Sequence, residues 1–251
     1  MVPFHFLLTW LMFANNPTPP NDFKQEQKRY PRVRQAYSDQ EQRALAALKA
    51  CNIEPTEMQL YIRAFKQEDE IELWGKNRQD STYQLIETFE VCSKSGILGP
   101  KREEGDYQVP EGFYHIDRFN PYSTFYLSLG INYPNRSDRI LGNESALGGD
   151  IFIHGECVTI GCLPIQNEPI KALYIYCVEA KNNGQQNIPV SIFPARLSNA
   201  KLNELLESTD NAKHEGLWKD LQQAFLLFNE HKQLPNITFL KDGRHGVSLA
   251  K

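Results

Sequence analysis

DIFIHGECVTIGCLPI, residues 150–165, is the segment on which the predicted architecture most depends. Its first part is an apolar strand that ends at His154, and Gly155 then allows the chain to turn sharply. A short loop leads to Gly161, which directly precedes Cys162. The segment therefore predicts a strand, a tight turn and a loop, with one chemically active side chain at each end of the loop.

Cysteine and histidine in this arrangement are typical of nucleophilic catalysis. A thiol has a pKa of about 8.5, and only its thiolate attacks, so Cys162 needs a neighbouring base. The His154 imidazole can take the proton and return it to a leaving amine. A glycine before the nucleophile leaves main-chain N–H groups free to face an oxyanion, which is the role predicted for Gly161.

Other kinds of site remain open from these residues alone. His154, Cys157 and Cys162 could be zinc ligands, but a fourth ligand is needed and the chain has no Cys-x-x-Cys pair. His154 and Glu156 match the His-x-Glu of zinc deaminases, whose Pro-Cys-x-x-Cys partner is absent. Both side chains could also be ordinary buried residues. We expect a thiol enzyme that needs no metal and no cofactor, with a thiol redox or metal protein as the alternative.

Short strands separated by turns rich in Pro, Gly and Asn surround this segment. Alternating or short apolar runs predict strands at 59–66, 70–74, 83–92, 112–117, 122–130, 151–154, 172–178 and 188–193. The predicted fold class is therefore mainly β (α+β), with helical segments at both ends.

Helical patterns lie outside this β-rich unit. Ser38 with Glu41 three residues later forms a capping box that predicts a helix to about Ala50. An apolar stripe from Leu217 to Phe228 predicts a longer helix that packs on a core. Four parts follow: a leader (1–20), a basic, solvated lead-in with a helix (21–56), a catalytic unit (57–195) and a helical extension (196–251).

Composition excludes two classes of protein. The 251 residues carry a net charge of -4, which argues against a sequence-independent nucleic-acid binder. No stretch reaches the roughly 20 apolar residues of a membrane span. The apolar run Phe4–Ala14 has about the length of a signal-peptide core, although no Lys or Arg precedes it. We expect export to the periplasm or cell envelope, and a disordered N-terminus is the alternative.

Five cysteines cannot all pair, so an exported chain would keep at least one free thiol. Cys51, Cys92 and Cys177 lie in helix or strand patterns and are predicted to pack in the interior. A disulfide between Cys157 and Cys162 would block the nucleophile, and the sequence leaves that off-switch open.

The central segment resembles the signature of the L,D-transpeptidase (YkuD) catalytic domain, which is His-Gly followed by Ser/Thr-x-Gly-Cys. It is most similar to the YafK-like branch, which also has a cysteine at the position of Cys157. Further similar stretches lie in the same order along the chain: RYPRVRQAY (29–37), LGPKREEGDYQVPEGFY (98–114), INYPN (131–135), IFPAR (192–196) and the helix around Trp218.

The resemblance assigns roles to individual positions. It implies that Cys162 is the nucleophile and His154 the general acid/base, with Gly155, Thr159 and Gly161 completing the motif. Pro110 and Gly112 match the Pro-x-Gly that opens the substrate-facing strand. Many members carry an arginine two residues after the nucleophile, where this chain has Pro164. That departure leaves the binding of a substrate carboxylate unassigned.

The resemblance also implies a YkuD-like antiparallel β-sandwich and a reaction. Cys162 would attack a peptidoglycan stem peptide at meso-diaminopimelate and form a thioester. An amine acceptor then makes a crosslink, whereas water gives hydrolysis and could release a peptidoglycan-attached lipoprotein. A non-catalytic wall-binding module is the remaining alternative.

Three arginines in the loops before the central segment are candidates for binding a stem-peptide carboxylate. They are Arg118, Arg136 and Arg139, because a guanidinium can hold a carboxylate through two hydrogen bonds. Solvated loop charges are the alternative for all three. Glu156 is predicted to be exposed rather than functional.

Overall fold

The computed structural model describes residues 23–143 and 146–249. The predicted leader and the apolar run Phe4–Ala14 lie outside these residues. Within the described ranges, no helix is long and apolar enough to cross a membrane.

Two helices begin the described chain: α1 (Phe23–Gln27) and α2 (Pro31–Ala50). The prediction of a solvated lead-in before a capping box was wrong, because Ser38 lies inside α2. Proline at the first helical position fixes a favourable φ and loses no intrahelical hydrogen bond. The helix then continues because its apolar positions recur at helical spacing and are buried: Val33, Ala36, Tyr37, Ala44 and Leu48.

One eight-stranded sheet forms the centre of the molecule. Its strands are β1 (Met58–Phe65), β2 (Glu70–Asn77), β3 (Gln84–Glu90), β4 (Gly112–Asn120), β5 (Ser128–Ile131), β6 (Phe152–His154), β7 (Leu163–Pro164) and β8 (Ile188–Phe193). They lie in the order β3-β2-β1-β8-β4-β5-β6-β7. Neighbours pair antiparallel except β1 with β8 and β6 with β7, which are parallel. The predicted class, a β core with helices at its ends, is confirmed.

Two helices interrupt the sheet in sequence: α3 (Arg136–Leu141) and α4 (Asn167–Asn182). The strand predicted at 172–178 was wrong, because this stretch forms the middle of α4. Every residue from Ile170 to Val178 is buried. A helix that is apolar on all sides loses its amphipathic period, so its sequence resembles that of a buried strand. The strand predicted at 122–130 is shorter than expected and begins at Ser128.

α4 is the central helix of the larger core and packs between α2 and the sheet. Two buried or half-buried hydroxyls join it to the N-terminal helices. Tyr37 donates to Glu179 at 2.7 Å, and Tyr174 donates to Gln27 at 2.7 Å. The N-terminal helices are therefore part of the folded unit.

The C-terminal part adds α5 (Asn199–Leu206), α6 (Thr209–Ala212), α7 (Glu215–His231), β9 (Asn236–Phe239) and β10 (His245–Ser248). The predicted apolar stripe of α7 is buried, and Trp218 is fully enclosed. β9 and β10 form an antiparallel hairpin that the sequence did not indicate as strands. This part supplies a second core that supports the loop before β4.

Candidate active site

The parallel pair β6–β7 brings the two ends of the central segment side by side. Ile153 pairs with Leu163, and His154 pairs with Pro164. Cys162 directly precedes β7, so the nucleophile lies at the start of the strand that pairs with the end of β6. We call residues 154–162 the His–Cys turn, since it joins the end of β6 to the start of β7.

Both glycines of the turn are required by close contacts. A Cβ on Gly155 would lie 2.5 Å from Asn167 Oδ1 and 2.8 Å from the carbonyl oxygen of Phe125. Gly161 has a φ of +134°, which L side chains rarely adopt, and its Cβ would lie 3.2 Å from the carbonyl oxygen of Gln108. The two glycines therefore let neighbouring loops approach the turn closely.

Thr159 organises the main chain at the nucleophile. Its hydroxyl accepts hydrogen bonds from the N–H groups of Gly161 at 3.2 Å and Cys162 at 2.8 Å, and it donates to the Cys162 carbonyl at 2.9 Å. Neither N–H is free in this structure. Their binding of an oxyanion stays a prediction, in which a substrate oxygen replaces the threonine hydroxyl.

Cys162 is a free, half-buried thiol. Its Sγ lies 3.6 Å from the carbonyl oxygen of Asp150. Burial raises the pKa of this thiol above its ordinary value, a hydrogen bond from the Phe152 main chain opposes the rise, and the Asp150 carboxylate adds to it. The resting cysteine is therefore protonated at neutral pH.

His154 is buried and neutral. Its Nδ1 lies 2.6 Å from the Gly155 carbonyl oxygen, an acceptor, so the ring proton is on Nδ1 and Nε2 is left as the basic atom. Burial lowers the pKa of the imidazole below its ordinary value. Among the hydrogen bonds of the described residues, none joins the ring to the Cys162 thiol.

An aromatic loop covers the imidazole. The rings of Phe125 and His154 lie 4.7 Å apart between centroids. Arg32 of α2 holds this loop, because its guanidinium donates to the carbonyls of Ser123 at 2.5 Å and Tyr126 at 2.7 Å. Arg32 was not singled out from the sequence, although it lies in the RYPRVRQAY stretch.

A cavity of about 370 Å³ opens beside the nucleophile. Cys162 and Leu163 form part of its wall, and Val91, residues 93–98 and Val109 form another part. Most of the lining is apolar, with Lys66, Lys94 and Asp69 as the charged side chains. A peptide with an aliphatic side chain could enter and bring a carbonyl to the thiol.

A buried ionic network anchors the long loop that forms this wall. Lys66 donates to the carbonyls of Gly99 at 2.7 Å and Val109 at 3.0 Å, and it pairs with Glu111 at 2.9 Å. Glu111 also accepts from the N–H of Gly99 at 2.7 Å and from the Trp218 indole at 2.7 Å. No local pattern in the sequence indicates this network, because Lys66, Glu111 and Trp218 are far apart in the chain.

Cys92 and Cys157 form a disulfide, so the prediction that Cys92 only packs in the interior was wrong. The predicted alternative pairing of Cys157 with Cys162 is not the one present, and Cys162 stays free. A disulfide sulfur is not a thiolate, so the rival zinc site loses one ligand. Cys177 is buried as predicted, and Cys51 is half-buried and free.

The predicted substrate-binding residues lie in different surroundings. Pro110 is buried, and Gly112 opens β4 with a φ of +154°. Arg118 on β4 donates to Asp150 at 2.6 Å and to Asp117 at 3.1 Å, so two carboxylates already balance its charge. Arg136 and Arg139 are exposed positions of α3. Substrate binding by any of these residues stays a prediction.

Comparison with known proteins identifies the family. The YkuD L,D-transpeptidase catalytic domain matches residues 61–192, a span that contains both His154 and Cys162. "Putative L,D-transpeptidase YafK" of Escherichia coli K12 is 34% identical over 191 residues, which cover 75% of this chain and 74% of that protein.

Solved structures with a similar fold are more distant. The helical cell shape determining protein Pgp2 from Campylobacter jejuni is 18% identical, with a TM-score of 0.45 and 73% of each chain covered. Bd1075 from Bdellovibrio bacteriovorus is 19% identical, with a TM-score of 0.40 over 72% of this chain and 76% of that one. On the domain match and the identity to YafK, this chain belongs to the family of proteins with an L,D-transpeptidase catalytic domain.

Proposed function

We propose that this chain is an exported, cysteine-dependent L,D-transpeptidase that acts on peptidoglycan stem peptides through a thioester on Cys162. The observation that carries the proposal is the free Cys162 thiol on the wall of an apolar cavity, at the start of the strand that pairs with the end of β6 at His154. Both residues lie within the matched domain. The Cys92–Cys157 disulfide supports export, because such bonds persist in oxidising compartments.

The reaction starts from a neutral pair. The bond from Nδ1 to the Gly155 carbonyl fixes the tautomer, so Nε2 can accept a proton. The thiol turns from the Asp150 carbonyl towards the ring and transfers its proton to Nε2 as Sγ attacks the substrate carbonyl carbon. A neutral resting pair avoids the cost of burying two charges before substrate arrives.

The tetrahedral intermediate collapses when the amide C–N bond breaks. The leaving nitrogen takes the proton from His154, and the acyl group remains on Cys162 as a thioester. An acceptor amine, or water, then loses a proton to His154 and attacks the thioester carbonyl. The C–S bond breaks, and the thiolate recovers the proton, which restores the enzyme.

Main-chain N–H groups at Gly161 and Cys162 are the proposed oxyanion donors. Both already converge on one oxygen, the Thr159 hydroxyl, so they are arranged to bind a single acceptor. Removing one such donor in comparable sites costs about 2.7–4 kcal/mol of transition-state stabilisation. In this proposal Thr159 holds the donors ready and gives way to the substrate oxygen.

The test is to incubate the purified protein with defined muropeptides and to separate the products by mass spectrometry. We expect crosslinked dimers from transfer to an amine, whereas shortened stems would indicate that water is the acceptor. Intact-protein mass should reveal the acyl adduct, and Cys162→Ala should abolish both adduct and products. Cys51→Ala is the matched control, because this free thiol follows the end of α2 and does not line the cavity. Unchanged muropeptides with the folded wild-type protein would refute the proposal.

A further inference from the structure

We propose that Cys92 and Cys157 are positioning residues, whose disulfide holds the His–Cys turn and so sets where Cys162 lies relative to His154 when the thiol turns to react. The inference rests on the proposed function only in taking Cys162 as the nucleophile and His154 as its base. It goes further in making the reactivity of the site depend on an oxidised cysteine pair outside the reacting atoms.

The disulfide is attached at the least supported part of the turn. Cys157 comes three residues after His154 and five before Cys162. The apolar side chains beside it face solvent, with Val158 54% exposed and Ile160 76% exposed. Packing therefore does little to fix this stretch.

Hydrogen bonds hold the beginning of the turn but not its middle. The N–H of Glu156 donates to Asn167 at 2.9 Å, and its carbonyl accepts from Gln166 at 3.1 Å. The hydrogen bonds of Thr159 stay within the turn. Among the hydrogen bonds of the described residues, none ties 157–160 to any other part of the fold. The disulfide is the covalent link that does so.

The other end of the disulfide is firmly held at the cavity wall. The N–H of Cys92 donates to the Pro164 carbonyl in β7 at 3.0 Å. Its neighbours Val91 and Ser93 line the cavity beside Cys162. One bond thus fixes the turn to a wall of the cavity that Cys162 also lines, across 65 residues of sequence. Its loss would release the turn from that wall.

The bond can respond to the surroundings because Cys157 is exposed. A dithiol reductant breaks the S–S bond, supplies two electrons and two protons to the cysteines, and leaves as its own cyclic disulfide. The reverse step passes two electrons and two protons from the Cys92 and Cys157 thiols to a disulfide oxidant, which becomes two thiols.

The experiment measures how strongly His154 controls the alkylation of Cys162. Iodoacetamide labelling of the full chain, followed by peptide mapping, gives the rate at Cys162 alone. The four proteins are wild type, His154→Ala, Cys92→Ser/Cys157→Ser, and the triple variant. Cys51→Ser is the control for removing an unrelated thiol. We expect His154→Ala to lower the alkylation rate of Cys162 at least tenfold when the disulfide is present. Without the disulfide, the same substitution should change that rate less than twofold.

A second measurement covers the case in which the serine variants do not fold. Wild type and His154→Ala are folded first, treated with a dithiol, and labelled at once. An equal effect of His154→Ala with and without the disulfide would overturn the inference and leave the proposed function standing. If His154→Ala slows alkylation only when the disulfide is present, but the protein does not act on muropeptides, the proposed function alone would be overturned.

Discussion

Removing the charge of Glu111 should destabilise the fold and open the wall of the cavity. This carboxylate is 1% exposed and pairs with Lys66, and it also receives N–H groups from Gly99 and Trp218. Glu111→Gln preserves the shape but leaves a buried lysine without its counter-charge. Breaking a buried pair by removing one partner costs about 3–5 kcal/mol.

That cost sets the size of the signal. For a chain of this size each kcal/mol lowers the melting temperature by about 2–4 °C, so Glu111→Gln should lower it by roughly 6–20 °C. Urea unfolding gives the free energy directly. Glu215→Gln is the matched control, since Glu215 pairs with Lys219 on the exposed surface of α7, and we expect no measurable change.

A double-mutant cycle tests the cause. Lys66→Met removes the stranded charge, so Lys66→Met/Glu111→Gln should lose less stability than the two single variants added together. The same variants should lower activity on muropeptides, because Lys66 holds the Gly99 and Val109 carbonyls at the cavity wall. A loss below about 1 kcal/mol for Glu111→Gln, or strict additivity in the cycle, would refute this reasoning.

Three further predictions concern the His–Cys turn. Thr159→Val leaves two main-chain N–H groups without their acceptor and should cost about 1–3 kcal/mol in urea unfolding, whereas Thr159→Ser should stay near wild type. Burial raises the pKa of the Cys162 thiol, so the thiol ionises at lower pH in the unfolded chain than in the folded one. The free energy of unfolding should therefore fall as pH rises above about 8.5, and Cys162→Ser should not show this fall. Arg32→Ala loosens the loop over His154, so the pKa of this imidazole should move up towards its ordinary value in an NMR titration, with Arg32→Lys in between. An unshifted titration in Arg32→Ala would contradict the last prediction.

Local patterns predicted much of the sheet. The run 188–193 forms β8 at the predicted bounds, and 59–66 forms β1 with a shift of one residue. The run 59–66 largely alternates and the run 188–193 is short and mostly apolar, and both patterns favour a strand. The sequence did not predict α4, because the middle of this helix is buried on all sides. Such a helix lacks the apolar period of 3.6 residues that distinguishes a helix from a strand.

In the site, too, local patterns predicted some residues and gave no sign of others. His154 and Cys162 were found because glycines next to each of them mark unusual backbone within one short segment. Glu111 and Trp218 are 107 residues apart, and no local pattern indicates that they meet. The pairing of Cys92 with Cys157 was equally hidden, since five cysteines allow several pairings and spacing alone does not choose among them.

The position of β7 explains why the site depends on such distant contacts. This strand has only two residues and is the last in the order of the main sheet, so the nucleophile at its start has a neighbouring strand on one side. On the other side the Pro164 carbonyl accepts the N–H of Cys92, and the loop that follows forms the wall of the cavity. A full strand there would bury Cys162, whereas a loop held at a few points leaves room for a peptide. The disulfide and the Lys66–Glu111 pair hold this loop in place, as the hydrogen bonds of a further strand would otherwise do.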